Sequence, residues 1–151
     1  MKYYIIAGEP SGDIYGSRLI NEIKRSETKA NIRFWGGDLM KKSGGTLVRH
    51  YKDLAFMGFI EVLINIFKIL KNFSLCKNDI IKFKPDKIIF IDYPGFNLRI
   101  AKWAKMKKFK TFYYISPQVW AWKESRVLTI KKYIDHMYVI MPFEKKFFKE
   151  K

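Results

Sequence analysis

The chain has 151 residues, 48% of them hydrophobic and 17% aromatic, with one cysteine and a formal net charge of +16 from 30 basic and 14 acidic residues. That composition excludes an intrinsically disordered chain and a disulfide scaffold, and the length suits one domain with its own core rather than two. The charge leaves four readings open: nucleic acid, an anionic membrane surface, anionic substrates, or a lysine-rich genomic bias with no specific partner.

In chain order, Lys2–Ala7 is an apolar run ending at Gly8 and reads as a buried strand. The run is too short for a signal peptide, and no window is apolar for the length of a membrane span. Ser11–Lys24 carries Ile14, Leu19, Ile20 and Ile23 at helical spacing, with Ser11 or Asp13 able to cap its start. Ile32–Trp35 reads as a strand, Leu39–Lys42 as a short helix and Thr46–His50 as a strand. Phe59–Phe73 is predicted as a strong helix. Lys87–Ile91 follows as a strand after Pro85, then a helix over Asn97–Lys107 and a strand over Thr111–Ile115. The chain continues with a helix over Glu124–Tyr133, a strand over Met137–Met141 and the start of a helix at Glu144–Lys149. The alternation predicts an α/β, Rossmann-like doubly wound parallel sheet, and the unbroken apolar strands agree with burial on both faces.

In such sheets ligands bind beyond the carboxyl ends of the strands, and three segments fall there. Gly8-Glu9-Pro10-Ser11-Gly12-Asp13 joins the first strand to the first helix, where glycines allow close approach and a helix N-terminus attracts anions or hydroxyls. Its glycine spacing is not the dinucleotide fingerprint, and a simple capped turn is the alternative. Asp92-Tyr93-Pro94-Gly95-Phe96-Asn97 follows the run Ile88–Ile91. A carboxylate at the end of a buried strand is partly desolvated and so a stronger base, which makes Asp92 the best general-base candidate. Bonding of turn amides ahead of Pro94 is the alternative. Ser116-Pro117-Gln118-Val119-Trp120-Ala121-Trp122 places two tryptophans at the same edge, suited to a sugar ring, an acyl chain or a plug between domains. Lys123 and Arg126, just beyond, are placed to meet a phosphate.

The helix Phe59–Phe73 is unusual in its arc. Its polar residues Glu61, Asn65, Lys68, Lys71 and Asn72 span about 120° of the wheel and leave roughly 220° apolar. Ile60, Val62, Leu63, Ile66, Ile69 and Leu70 cannot all face the sheet of a surface helix, so part of that arc is expected to meet lipid, an acyl substrate or a partner. Metal chemistry is not expected, since His50 and His136 are far apart and Cys76 is single. Neither a Gly-x-Ser-x-Gly elbow nor a nucleic-acid motif is present.

Five motifs then stand in one order: Ala7–Asp13, Leu54–Leu63, Ile91–Asn97, Ser116–Trp122 and Pro142–Lys145. Together they resemble the amino-terminal half of lipid-A-disaccharide synthase over essentially the whole chain. Departures are confined to single positions, among them Pro10, Tyr93, Gly95, Gln118 and Lys123. The resemblance implies the acceptor-side domain, residues 1–151, of an inverting GT-B glycosyltransferase whose carboxy-terminal nucleotide-binding domain is absent from this chain. Such an enzyme transfers 2,3-diacylglucosamine from UDP-2,3-diacylglucosamine to 2,3-diacylglucosamine 1-phosphate (lipid X). The products are lipid A disaccharide 1-phosphate, on the route to lipopolysaccharide, and UDP. The resemblance implies Asp92 as base and a substrate cleft drawn from Ser11, Gly12, Asp13, Met57, Glu61, Asn97, Gln118, Trp120 and Arg126. It implies no cofactor or metal, no nucleic-acid partner, an anionic membrane surface as partner, room for a homodimer, and a peripheral place on the cytoplasmic face of a Gram-negative inner membrane. The chain alone is expected to be inactive. The competing readings are a related glycosyltransferase with another lipid-linked acceptor and a non-catalytic module that binds anionic lipid.

Overall fold

A computed structural model describes residues 1–54, 66–115 and 125–150. Six strands, β1 (Lys2–Ala7), β2 (Asn31–Gly36), β3 (Thr46–His50), β4 (Lys87–Ile91), β5 (Lys110–Tyr114) and β6 (His136–Tyr138), form one sheet in the order β3-β2-β1-β4-β5-β6. Every neighbouring pair is parallel. The order reverses between β1 and β4, and that switch point opens a crevice at the strands' carboxyl ends. The predicted doubly wound α/β fold is therefore the observed one.

Among the described residues the α-helices are α1 (Pro10–Ser26), α2 (Asp38–Ser43), α3 (Ile66–Phe83), α4 (Pro94–Met106), α5 (Ser125–Tyr133) and α6 (Pro142–Glu150). Successive strand residues point to opposite faces, and here both faces are covered. Tyr4, Ile6, Ile88 and Phe90 pack with Cys76 and Ile80 of α3, Ile100 and Ala104 of α4, and Val127 and Ile130 of α5. Tyr3, Ile5, Ala7, Ile89 and Ile91 pack with Ile20 of α1 and Met40 of α2. Double burial is why β1 and β4 read as continuous apolar runs rather than alternating ones.

Three expectations are corrected. Neither Ser11 nor Asp13 caps the first helix; α1 starts at Pro10 with Glu9 as its cap residue and no side-chain cap bond. Proline at the first helical position has a φ already set for the helix and an N–H that no helix partner would use. The final strand is three residues, His136–Tyr138, rather than Met137–Met141. The third helix runs to Phe83, ten residues past the predicted end at Phe73. Lys77, Asn78, Asp79 and Lys82 break the apolar pattern there, but a buried line continues through Asn72, Cys76 and Ile80 at intervals of four.

The polar residues of that extension have tertiary partners. Arg33 of β2 forms a two-armed ion pair with Asp79, Nη2 to Oδ1 at 2.6 Å and Nε to Oδ2 at 3.1 Å. Tyr4 donates its hydroxyl to Asp79 at 2.8 Å and accepts the Trp35 indole N–H at 2.9 Å. Burial drives the Tyr4 hydroxyl far above its ordinary pKa, so it remains a donor. This network fastens α3 across β1 and β2.

Candidate active site at the switch point

β1 and β4 lie side by side with Ala7 opposite Ile91, so the segments that follow them emerge together. Asp92 and Tyr93 both take positive φ, 42° and 47°, in the left-handed region that non-glycine residues enter at a cost. The double left-handed turn reverses the chain at once from β4 into α4, with Tyr93 as the helix cap residue. It leaves the Asp92 side chain half-buried at the sheet edge. Burial pushes the Asp92 carboxyl upward, against a smaller opposing effect of the Tyr93 backbone N–H.

Glu9 comes to the same place from β1. Its carboxyl is raised by burial and then by the Asp92 charge, and the Glu9 charge in turn raises the Tyr93 hydroxyl after burial does. Glu9 thus belongs to the site, although the sequence reading left it out of its candidates. The signal was present in its position at the end of a buried strand, the same argument that selected Asp92. Gly8 makes the approach possible: a β-carbon there would lie 2.2 Å from the Tyr93 ring.

Asn97 is fully buried, and its Nδ2 donates to the carbonyl oxygens of Asp92 at 2.8 Å, Ile91 at 3.2 Å and Ile6 at 3.4 Å. It ties the ends of β1 and β4 to the first turn of α4, so it shapes the site from below. Asp13 is also interior, 3% exposed. Its oxygens accept the backbone N–H groups of Gly37 at 2.8 Å, Met40 at 3.0 Å and Leu39 at 3.1 Å, which caps α2 rather than α1. Ser11 is exposed in the first turn of α1. Gly12 packs its helix onto β1, where a β-carbon would lie 3.0 Å from that of Ala7. Arg126, at the start of α5, is partly exposed, and its charge reaches Tyr113 of β5 beneath the site. Met57, Glu61, Gln118 and Trp120, with Ile60, Val62 and Leu63, lie outside the described residues.

Beside the turn is a cavity of about 260 Å³ lined by Leu54, Ile69, Asn72, Phe73, Tyr93, Phe96 and Arg99. It is a largely apolar trough between α3 and α4, opening next to Tyr93. Ile69 lines it, while Ile66 and Leu70 stand 45% and 56% exposed and Phe67 81%. In the described part of this helix the apolar residues thus divide between the trough and solvent. Asn72, read as polar face, is instead buried; of the described residues of that face, Lys68 and Lys71 are exposed, and Glu61 and Asn65 lie outside the described residues. Arg99 lies over the Phe73 ring at 5.8 Å. Among the described residues no helix is long and apolar enough to cross a membrane, and no group of three His, Cys, Asp or Glu side chains is placed to hold a metal ion.

A family model described as lipid-A-disaccharide synthetase matches residues 3–151. The lipid-A-disaccharide synthase of Trichlorobacter lovleyi is 42% identical over 146 residues, 97% of this chain and 38% of the relative. That of Coxiella burnetii is 41% identical over 146 residues, 97% of this chain and 39% of the relative. The chain thus spans about two fifths of the length of these relatives. In fold it is similar to the UDP-GlcNAc 2-epimerase of Neisseria meningitidis, with a TM-score of 0.68 and 12% identity over 99% of this chain and 43% of that one. A putative UDP-N-acetylglucosamine 2-epimerase of Listeria monocytogenes gives a TM-score of 0.69 at 8% identity, covering 99% of this chain and 42% of that one.

Proposed function

The chain belongs to the lipid-A-disaccharide synthetase family, and from that premise we propose that it is the acceptor-side domain of a lipid-A-disaccharide synthase. In this reading a second, nucleotide-binding domain completes the enzyme. The complete enzyme transfers 2,3-diacylglucosamine from UDP-2,3-diacylglucosamine to lipid X, with inversion at the anomeric carbon.

Asp92 is the general base. Its carboxylate removes the proton of the acceptor 6-hydroxyl as that oxygen bonds to the anomeric carbon and the bond to UDP breaks. A base needs a pKa near its working pH, and the burial that raises Asp92 moves it in that direction. The observation that carries the reading is the Asp92 carboxyl, held half-buried in a left-handed turn at the sheet's switch point. Ser11 and the α1 N-terminus line the cleft, Arg126 meets anionic substrate, and Met57, Glu61, Gln118 and Trp120 complete the acceptor side.

The trough beside Tyr93 takes an acyl chain. Exposed Ile66, Phe67 and Leu70, flanked by Lys68 and Lys71, seat the domain on an anionic bilayer. In this reading the enzyme works at the cytoplasmic face of the inner membrane of a Gram-negative bacterium. The test is disaccharide formation from the two acylated substrates by the complete protein and by its Asp92→Asn variant. Turnover by the parent and its near-complete loss in the variant support the reading; normal turnover by Asp92→Asn removes Asp92 as base. The 151-residue chain by itself is expected to give no turnover.

A further inference from the structure

Tyr113 is the next-to-last residue of β5, fully buried, with its ring 6.0 Å from that of Phe90. Its hydroxyl donates to the backbone carbonyl oxygen of Asp92 at 2.6 Å. That carbonyl also accepts from Asn97 Nδ2 at 2.8 Å. Two buried donors therefore grip a single peptide oxygen, between two consecutive residues of positive φ. An ordinary strand-to-helix connection needs no such grip. A left-handed Asp-Tyr pair does, because it relaxes toward commoner backbone angles unless its surroundings over-determine it.

We propose that Tyr113 is a positioning residue for Asp92: its hydroxyl fixes the left-handed peptide from which the Asp92 carboxylate is presented to the acceptor. The Asp92 side chain branches from the same α-carbon as the gripped carbonyl, so rotation of that peptide swings the carboxylate. A displacement of about an ångström in a reacting group costs up to about a hundredfold in rate. Burial raises the Tyr113 hydroxyl well above its ordinary pKa, so it stays a protonated donor at every working pH. Among the described residues, the titratable and charged groups around this turn include Glu9 from the β1–α1 connection, Tyr93 from the turn itself, Arg99 from α4, Tyr113 from β5 and Arg126 from α5.

The inference rests on Asp92 acting as base, and the experiment separates the two. Tyr113→Phe in the full-length protein removes one oxygen and keeps the ring. We expect kcat to fall about tenfold with KM within twofold, and the acidic limb of the pH–rate profile to move to lower pH as the loosened carboxyl meets more water. Carbon-13 NMR titration of the Asp92 carboxyl reads the same shift without any turnover. A core variant on the opposite face, Ile20→Val, is expected to lose stability while leaving kcat, the limb and the titration unchanged. If Tyr113→Phe behaves like Ile20→Val, with lower stability only, the positioning role is overturned. If the parent protein makes no disaccharide, the proposed activity fails, and the carboxyl titration still decides the role of Tyr113.

Discussion

Gly8 and the ring of Tyr93 approach so closely that a β-carbon on residue 8 would sit 2.2 Å from the ring. The contact joins the end of β1 to the left-handed turn after β4, and it brings Glu9 to the edge where Asp92 stands. Tyr93 cannot simply swing aside, because its backbone is held at φ 47° and its ring packs on Phe96 at 6.0 Å. Gly8→Ala is therefore expected to destabilise the fold by about 1–3 kcal/mol, the range for an overpacked site. Chemical denaturation measures this directly.

Asp92→Asn separates chemistry from folding. Aspartate and asparagine both tolerate the left-handed region, so the turn is expected to survive. Loss of a general base costs about 10²- to 10⁴-fold in turnover. The same variant is expected to melt higher than the parent at neutral pH. A carboxyl whose folded pKa is raised holds its proton more tightly in the native state. Its stabilising effect is complete below the unfolded value of about 3.9 and is lost as pH rises through the folded value. The gap in Tm between variant and parent should thus be present at pH 7 and close below about pH 4. Equal melting at both pH values would contradict the raised carboxyl.

The acidic limb of kcat/KM tests the same group in action. With Asp92 pushed up by burial, activity is expected to fall away at a pH above the ordinary aspartate value of about 3.9. A limb at that value would show a carboxylate exposed to water, and a limb below it a carboxylate held by a cation or by N–H donors.

Asp13 predicts a purely structural loss. Its carboxylate satisfies three backbone amides at the start of α2. Asp13→Ala leaves buried donors unpaired and is expected to cost about 1–3 kcal/mol. Asp13→Asn keeps one acceptor oxygen and should recover part of it. Urea midpoints at constant m-value are the measurement.

Ile66, Phe67 and Leu70 are largely exposed on α3. Serine at all three is expected to change stability little, each by about 0.5 kcal/mol or less. Sedimentation with anionic vesicles should move the protein from pellet to supernatant. Unchanged partitioning would mean that this face meets protein rather than lipid.

The amino-acid sequence by itself determined the elements and their class. Lys2–Ala7 and Lys87–Ile91 are strands over the very residues their apolar runs mark, and Thr46–His50 is a strand over its predicted bounds, because a short run bounded by turn residues is a local signal. It also singled out Asp92 as a candidate, since a charged residue ending a buried run is visible in one dimension. What it could not carry is partnership across the sheet. Asp13 looks like a cap for its own helix and caps the next one, because Gly37 folds back onto it. Asn72 looks polar and is buried, and the α3 extension looks too charged to be helical until Arg33 and Tyr4 meet Asp79. Glu9 and Tyr113 join the site only because parallel pairing sets β1, β4 and β5 side by side. Those contacts join residues dozens of positions apart, and their energies come from desolvation and geometry that exist only once the chain is folded.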